Sequence, residues 1–244
     1  LRHIELTGGE PMLSLENRRL VALLAETGRS DRIGLHLTTN ATIIDGETVR
    51  WFPRFQHVVV GLSVDDLGER LAYQRASAPW PLVADTVARW CEVDGIDLLA
   101  VVSVSLFNAW DLAEILDWFA ATHPAMEVHL NLVHEPRHFS VWAVPTPLRE
   151  ELVRRLRRYA DDPARPADVR LQVRRVSEFV SEGPAGRELW DAALTHISAR
   201  DAIRGSGSRR STRRCGRRRR PPGSSSSRAV GVGRRTGDGD LRGV

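Results

Sequence analysis

The sequence predicts an α/β fold in which parallel strands alternate with helices. Five apolar runs rich in β-branched residues predict buried strands, at 1–6, 33–38, 57–64, 98–106 and 126–133. Stretches of helical periodicity lie between them, at 15–26, 48–52, 80–93 and 112–121. Because parallel strands need long crossover connections, this alternation favours βα units with right-handed crossovers.

The pattern changes after Pro145, where only helical periodicity remains, at 148–159, 169–179 and 187–200. Beyond residue 204 neither period continues. We therefore predict three parts, which are a βα domain over residues 1–145, a helical extension over 146–204 and a tail over 205–244.

The tail differs from the rest of the chain in charge. All 35 cationic residues are arginines, and residues 205–244 hold 12 of them against two aspartates, a net charge of +10 that leaves residues 1–204 at −6. A segment rich in Arg, Gly, Ser and Pro with no aromatic residue predicts disorder. Three interpretations stay open, namely a shifted reading frame, a native disordered tail and a nucleic-acid-binding tail, the last disfavoured because no aromatic side chain is there for base stacking.

Cys91 and Cys215 are the two cysteines of the chain. Neither has a partner at the spacing of a zinc site or of a disulfide framework. With no signal peptide and no membrane span in the sequence, we expect a cytoplasmic location and no membrane partner. Because Leu1 already lies in a predicted strand, we also expect an N-terminal truncation.

In a parallel βα array, ligands bind at the loops that follow the carboxyl ends of the strands. The first of these loops is Gly8-Gly9-Glu10-Pro11. Two glycines let the backbone take positive φ and wrap closely around a ligand, Glu10 can hold a cationic amine, and Pro11 fixes the exit of the loop. The alternative is a tight turn with an incidental acid.

The next two loops are also polar. Asn40 follows the second strand, where it could take positive φ, hydrogen-bond a ligand or simply close an Asx turn. Ser63 and Asp65 end the third strand on one face, and Arg75 follows ten residues after Asp65. A hydroxyl, a carboxylate and a guanidinium could bind a ligand, or Asp65 could cap a helix and Arg75 form a surface ion pair.

Polar residues also follow the fourth strand (Ser103, Ser105 and Asn108), with Asp111 as a candidate helix cap. His129 and His134, in and after the fifth strand, could act as acid, base or metal ligand or have a structural role.

Taken in order, these motifs resemble the radical S-adenosylmethionine (SAM) superfamily. The similarity lies in the stretches 6–11, 39–41 and 61–66, with Arg75, where Ala41 and Asp66 stand at positions usually held by glycine. The stretch from Leu132 to Ser140, with Val144-Pro145, resembles the twitch-domain subgroup. The implied fold is a partial (β/α)6 barrel that lacks its first strand.

The resemblance also implies roles for individual residues. Gly8, Gly9 and Glu10, with Pro11 closing the loop, would bind the methionyl amine, and Ser63 and Arg75 would lie near the methionyl carboxylate. Asn40 and Asp65 would lie by the ribose or support the loop, and the backbone near Leu132 would contact adenine.

The implied cofactors are SAM and a 4Fe–4S cluster, whose Cys-x3-Cys-x2-Cys loop is absent from this chain. The implied reaction is reductive cleavage of SAM to a 5′-deoxyadenosyl radical, with an external electron donor and a peptide or small metabolite as substrate. No catalytic residue or metal ligand can be named, and we expect this chain to be inactive. The alternatives are a nucleic-acid-binding protein that acts through the tail, or a βα enzyme of ordinary polar chemistry, for which no nucleophile and base pair is evident.

Overall fold

The structure, a computed structural model, describes residues 1–76, 78–184 and 187–204. The arginine-rich tail and Cys215 lie outside the described residues, so the predictions about the tail stay untested. Leu1–Ile197 form one compact unit, and a second unit, Ser198–Val244, begins inside the last helix. The three-part division at residues 145 and 204 remains a prediction.

Five parallel strands form one sheet in sequence order, which confirms the predicted α/β class. The strands are β1 (His3–Leu6), β2 (Gly34–Thr39), β3 (His57–Ser63), β4 (Asp97–Val104) and β5 (Glu127–Leu132). The helices are α1 (Leu15–Glu26), α2 (Gly46–Val49), α3 (Gly68–Gln74), α4 (Trp80–Trp90), α5 (Leu112–Thr122), α6 (Thr146–Asp161), α7 (Ala167–Glu182) and α8 (Arg187–Arg204).

One face of the sheet is buried in the hydrophobic core. Alternate strand residues such as Leu37, Val60, Leu62 and Val102 are at most 1% exposed, as expected where helices cover a parallel sheet. Among the described residues, no helix is both long enough and apolar enough to cross a membrane.

The two edges of the sheet differ. β1 pairs with β2 on one side, and β5 pairs with β4. At the outer edge of β5, the side-chain amide of Gln172 in α7 accepts a hydrogen bond from Leu130 N and donates one to Val128 O, both at 2.8 Å. The side chain thus takes the place of a neighbouring strand at this point.

Two side chains hold the C-terminal end of α7: Trp142, which precedes α6, and Arg149, in the first turn of α6. The indole of Trp142 donates to Phe179 O at 2.8 Å, and the buried guanidinium of Arg149 donates to Gly183 O at 2.8 Å. These two donors satisfy carbonyls that a helix leaves unpaired at its C-terminus, which fixes how α7 ends.

Gly183 leaves no room for a side chain at this end of α7. A Cβ at this position would lie 1.9 Å from Cδ1 of Trp142. We therefore expect Gly183→Ala to lower the free energy of unfolding by about 2 kcal/mol or more, because the indole must move off Phe179. Gly46→Ala serves as the control, because its new Cβ meets nothing within 4 Å. Urea denaturation should give the control the same free energy of unfolding as the parent protein, and an equal loss of stability in both variants would contradict this interpretation.

Candidate functional site

The carboxyl ends of β1 to β4 bring the polar loops of the sequence to one rim of the sheet. After β1, Gly8 and Gly9 both take positive φ, at 83° and 53°. A Cβ at either position would meet nothing within 4 Å, so the space above this backbone is open. Bare backbone beside open space is what close approach of a ligand requires.

Glu10 joins the loop after β1 to the end of β2. Its Oε1 accepts a hydrogen bond from Met12 N at 3.1 Å, and its Oε2 accepts from Thr39 Oγ1 and Asn40 N, both at 2.8 Å. A carboxylate offers about four acceptor positions. Three are used here, so Oε1 retains one for a donor from a ligand.

Asn40 closes an Asx turn. Its Oδ1 accepts hydrogen bonds from Thr42 N at 3.0 Å and from the Thr42 hydroxyl at 2.5 Å. The positive φ of this loop falls on Ala41 (φ 55°), which is fully buried. An L-residue in this conformation is strained, which explains why glycine suits this position.

Asp65, two residues after the end of β3, and Arg75, directly after α3, form an ion pair. Arg75 donates through Nε at 3.0 Å and Nη2 at 2.7 Å to Oδ2 of Asp65, whose Oδ1 accepts from Ser103 N at 2.8 Å. The Asp65 side chain is 11% exposed and that of Arg75 29%. Asp65 does not cap α3, because Leu67 is the residue that precedes this helix.

Asn108 connects the loops after β3 and β4, and the sequence did not assign it to the site. It is fully buried, and its Nδ2 donates to Asp65 O at 2.6 Å and to Ser103 O at 2.9 Å, while its Oδ1 accepts from Ser105 N at 2.8 Å. The polar Ser103, Ser105 and Asn108 after an apolar strand were the available signal. The burial of Ser105 and Asn108 is seen only in the structure.

Ser63 and Leu132 lie at the carboxyl ends of β3 and β5, and within the described part of the chain no hydrogen bond joins the Ser63 hydroxyl to Glu10, Asp65 or Arg75. His134 packs edge-on against Phe179 with ring centroids 4.8 Å apart. His129 Nε2 lies 3.4 Å from Glu127. Among the described residues, no three His, Cys, Asp or Glu side chains come together as a metal site.

Asp66, which follows Asp65 directly, is fully buried. Its Oδ1 accepts from Leu67 N and Arg70 Nε, and its Oδ2 accepts from Gln74 Nε2, all at 2.8 Å. Burial raises the pKa of this carboxyl to about 6, and the hydrogen bonds from Arg70 and Leu67 offset only part of that effect.

This raised pKa gives a pH dependence of stability. Between about pH 4 and pH 6 the folded protein holds a proton on Asp66 that the unfolded chain has released, so the contribution of Asp66 to the free energy of unfolding falls as the pH rises, by up to ~3 kcal/mol. Asn does not titrate. We therefore expect the free energy of unfolding of Asp66→Asn, measured by urea denaturation relative to the parent protein, to increase between pH 4 and pH 7. A difference between the two proteins that stays constant over this range would contradict the assignment.

No family model and no curated protein sequence matches this chain. Among solved structures, it is similar to native anSMEcpe with bound AdoMet and Cp18Cys peptide, with a TM-score of 0.48 and 16% identity, covering 63% of this chain and 45% of that one. The same protein with bound AdoMet and Kp18Cys peptide gives a TM-score of 0.46 and 18% identity, covering 66% of this chain and 46% of that one. A domain of pyruvate-formate lyase-activating enzyme from Bacteroides vulgatus ATCC 8482 gives a TM-score of 0.44 and 16% identity, covering 64% of this chain and 93% of that one. The chain thus spans less than half the length of these anSMEcpe chains.

Proposed function

We propose that the rim formed by the loops after β1 to β5 is the SAM site of a radical SAM enzyme of which this chain is a part. The observation that carries the proposal is the Glu10 carboxylate, which accepts hydrogen bonds from both Thr39 and Asn40. The loop after β1 and the end of β2 are therefore joined by hydrogen bonds between residues 29 and 30 positions apart. Beside them lies the open backbone of Gly8 and Gly9.

The residues of the rim fit the polar parts of SAM. Glu10 and the backbone of Gly8 and Gly9 would hold the methionyl amine, a cation that suits a carboxylate with one remaining acceptor position. Ser63 and Arg75 would bind the methionyl carboxylate. Pro11 would set the exit of the first loop.

For the nucleoside, we place Asn40 and Asp65 beside the ribose and the backbone near Leu132 at adenine. Because Asp65 already accepts from Arg75 and Ser103, it would support the loop by holding Arg75 in place, and Asn40 would be the residue that binds the ribose. When bound and reduced in the intact enzyme, SAM would supply a 5′-deoxyadenosyl radical that abstracts hydrogen from a peptide or small-metabolite substrate.

The residues present do not fit a 4Fe–4S cluster. Such a cluster needs several thiolates close together. Cys91 lies between α4 and the start of β4, at the end of the strands opposite the rim, with its Sγ 3.4 Å from His123 Nδ1. Burial, with a smaller effect of Glu92, raises the pKa of the Cys91 thiol, which disfavours the thiolate that binds metal. We therefore assign no step to a cluster in this chain.

A pair of glycine variants tests the SAM site. Gly9 (φ 53°) and Gly95 (φ 74°) both take positive φ with open space at the Cβ position. Gly9→Ala and Gly95→Ala therefore strain the backbone similarly, but only the first places a methyl group in the proposed site. In equilibrium dialysis with SAM, we expect at least tenfold weaker binding for Gly9→Ala and unchanged binding for Gly95→Ala. No binding by the parent chain, or equal effects of both substitutions, would overturn the proposal.

A second experiment tests the lack of a cluster. After anaerobic reconstitution with iron and sulfide, we expect this chain to retain no stoichiometric iron and to release no 5′-deoxyadenosine from SAM. Stoichiometric iron would show that the chain holds a cluster with ligands other than a three-cysteine loop.

A further inference from the structure

The two faces of the sheet differ in composition. The core face is largely aliphatic and most of its side chains are buried. On the opposite side, paired residues of neighbouring strands form a row of Glu5, His36, Val59 and Asp97. Side chains alternate along each strand and paired residues share a face, so this side also carries Leu99 with its partner Glu127, and Val101. We call this side the open face and define it by Glu5, Val59, Asp97, Leu99, Val101 and Glu127.

The open face is accessible within the described part of the chain. The side chains of Asp97 and Glu127 are 72% and 77% exposed, and Val59, Leu99 and Val101 are partly exposed. Parallel sheets are normally covered on both faces. An aliphatic strip with charged borders, left uncovered on a parallel sheet, is a surface suited to a ligand.

The charge of the open face has one sign. The five strands contain no arginine, although the chain has 35, and their acidic residues Glu5, Asp97 and Glu127 all lie on this face. His57 Nε2 lies 3.5 Å from Asp97, and His129 Nε2 lies 3.4 Å from Glu127. His3 and His36 share this face, so the five strands give it three carboxylates, four histidines and no guanidinium group.

The aliphatic strip and the acids are adjacent. Val59 pairs with Asp97 and Leu99 pairs with Glu127, and paired strands lie about 4.8 Å apart. A lysine side chain matches this arrangement, because its methylene stem packs on apolar surface while its ammonium group extends to a carboxylate. The face is about 19 Å across its five strands, which is wide enough for several residues of a peptide.

We propose that the open face binds a peptide through a lysine side chain, with the stem on Val59, Leu99 and Val101 and the ammonium group at Asp97 or Glu127. Because Ser63 lies on the same face at the carboxyl end of β3, the peptide would extend toward the proposed SAM site. As a statement about substrate class, the inference rests on the proposed function. As a statement about binding, it can be tested separately.

The test is methyl NMR of the full chain at pH 7.5. The probe is a capped pentapeptide with a central lysine, and the matched probe replaces lysine by norleucine, which keeps the stem but has no charge. We expect saturable shifts at Val59, Leu99 and Val101, with at least fivefold weaker binding of the norleucine peptide. Equal affinity for both peptides, shifts elsewhere only, or a free diamine that binds as tightly as the lysine peptide would overturn the proposal.

Variants with matched net charge complete the test. The first variant, Glu5→Gln/Asp97→Asn/Glu127→Gln, removes the acids of the open face. The second variant, Glu26→Gln/Glu92→Gln/Glu178→Gln, removes three exposed acids elsewhere. We expect about fivefold weaker lysine-peptide binding in the first and none of this loss in the second. Equal loss in both would overturn the proposal.

The two proposals fail in different ways. SAM binding by dialysis should be unchanged in the open-face variant, because none of its three substitutions lies in the rim loops. If SAM binds the parent chain but the lysine peptide does not, the inference about the open face is wrong while the SAM site stands. If the lysine peptide binds and SAM does not, the face is supported and the proposed enzyme is wrong.

Discussion

Asn108→Ala is expected to lower the free energy of unfolding by about 3 kcal/mol, because two buried backbone groups and one partly buried group lose the side chain that hydrogen-bonds to them. These groups are the carbonyls of Asp65 and Ser103 and the N–H of Ser105. Urea denaturation measures the loss. Through Asp65, the same substitution should also loosen the hold on Arg75 and weaken SAM binding.

Two other variants separate this role from a general effect of a shortened side chain. Asn131→Ala also shortens an asparagine, but at an exposed position at the end of β5, and should change stability by less than about 0.5 kcal/mol. Asn108→Asp keeps an acceptor for Ser105 N but loses both donors, so we expect it to be at least as unstable as Asn108→Ala. Stability of Asn108→Asp close to the parent value would contradict the role of the amide group.

Glu10→Gln is expected to have the largest effect on SAM binding, about tenfold or more, because it removes the negative charge proposed to hold the methionyl ammonium. It should also cost about 1–2 kcal/mol of stability. A single amide oxygen cannot accept from Met12 N, Thr39 Oγ1 and Asn40 N in the positions of the two carboxylate oxygens. Equilibrium dialysis and urea denaturation measure the two effects separately.

Glu26→Gln serves as the control for Glu10→Gln, since it removes the same charge from the exposed end of α1. It should leave both SAM binding and stability unchanged. If Glu10→Gln loses stability but binds SAM as the parent does, Glu10 has only a structural role, as the turn that joins the first two strand ends.

The strands and most helices were predictable because their signals are local. Continuous aliphatic runs such as 57–64 indicate strands buried in a parallel sheet, and the structure has β3 at His57–Ser63. The short α3 was not predicted, because it begins at Gly68 with φ 58° and spans only seven residues. The contact of Gln172 with β5 was also missed, since its partners lie 42 and 44 residues away.

The candidate site was predictable as a set of loops but not as a set of contacts. Glycines, acids and amides after successive strands indicate a common rim, and Glu10 and Asn40 are joined there by a hydrogen bond. Spacing alone could not decide whether Arg75 faces a ligand or Asp65, because the answer depends on how α3 ends. The burial of Asn108 depends in turn on the packing of two loops.

The side-chain amide of Gln172 has a consequence for how the sheet can grow. At Val128 and Leu130 the hydrogen-bonding groups of β5 are already occupied, while β1 has a neighbour on one side only within the described residues. Edge-to-edge association, whether with another part of the same polypeptide or with a second molecule, is therefore directed to His3–Leu6.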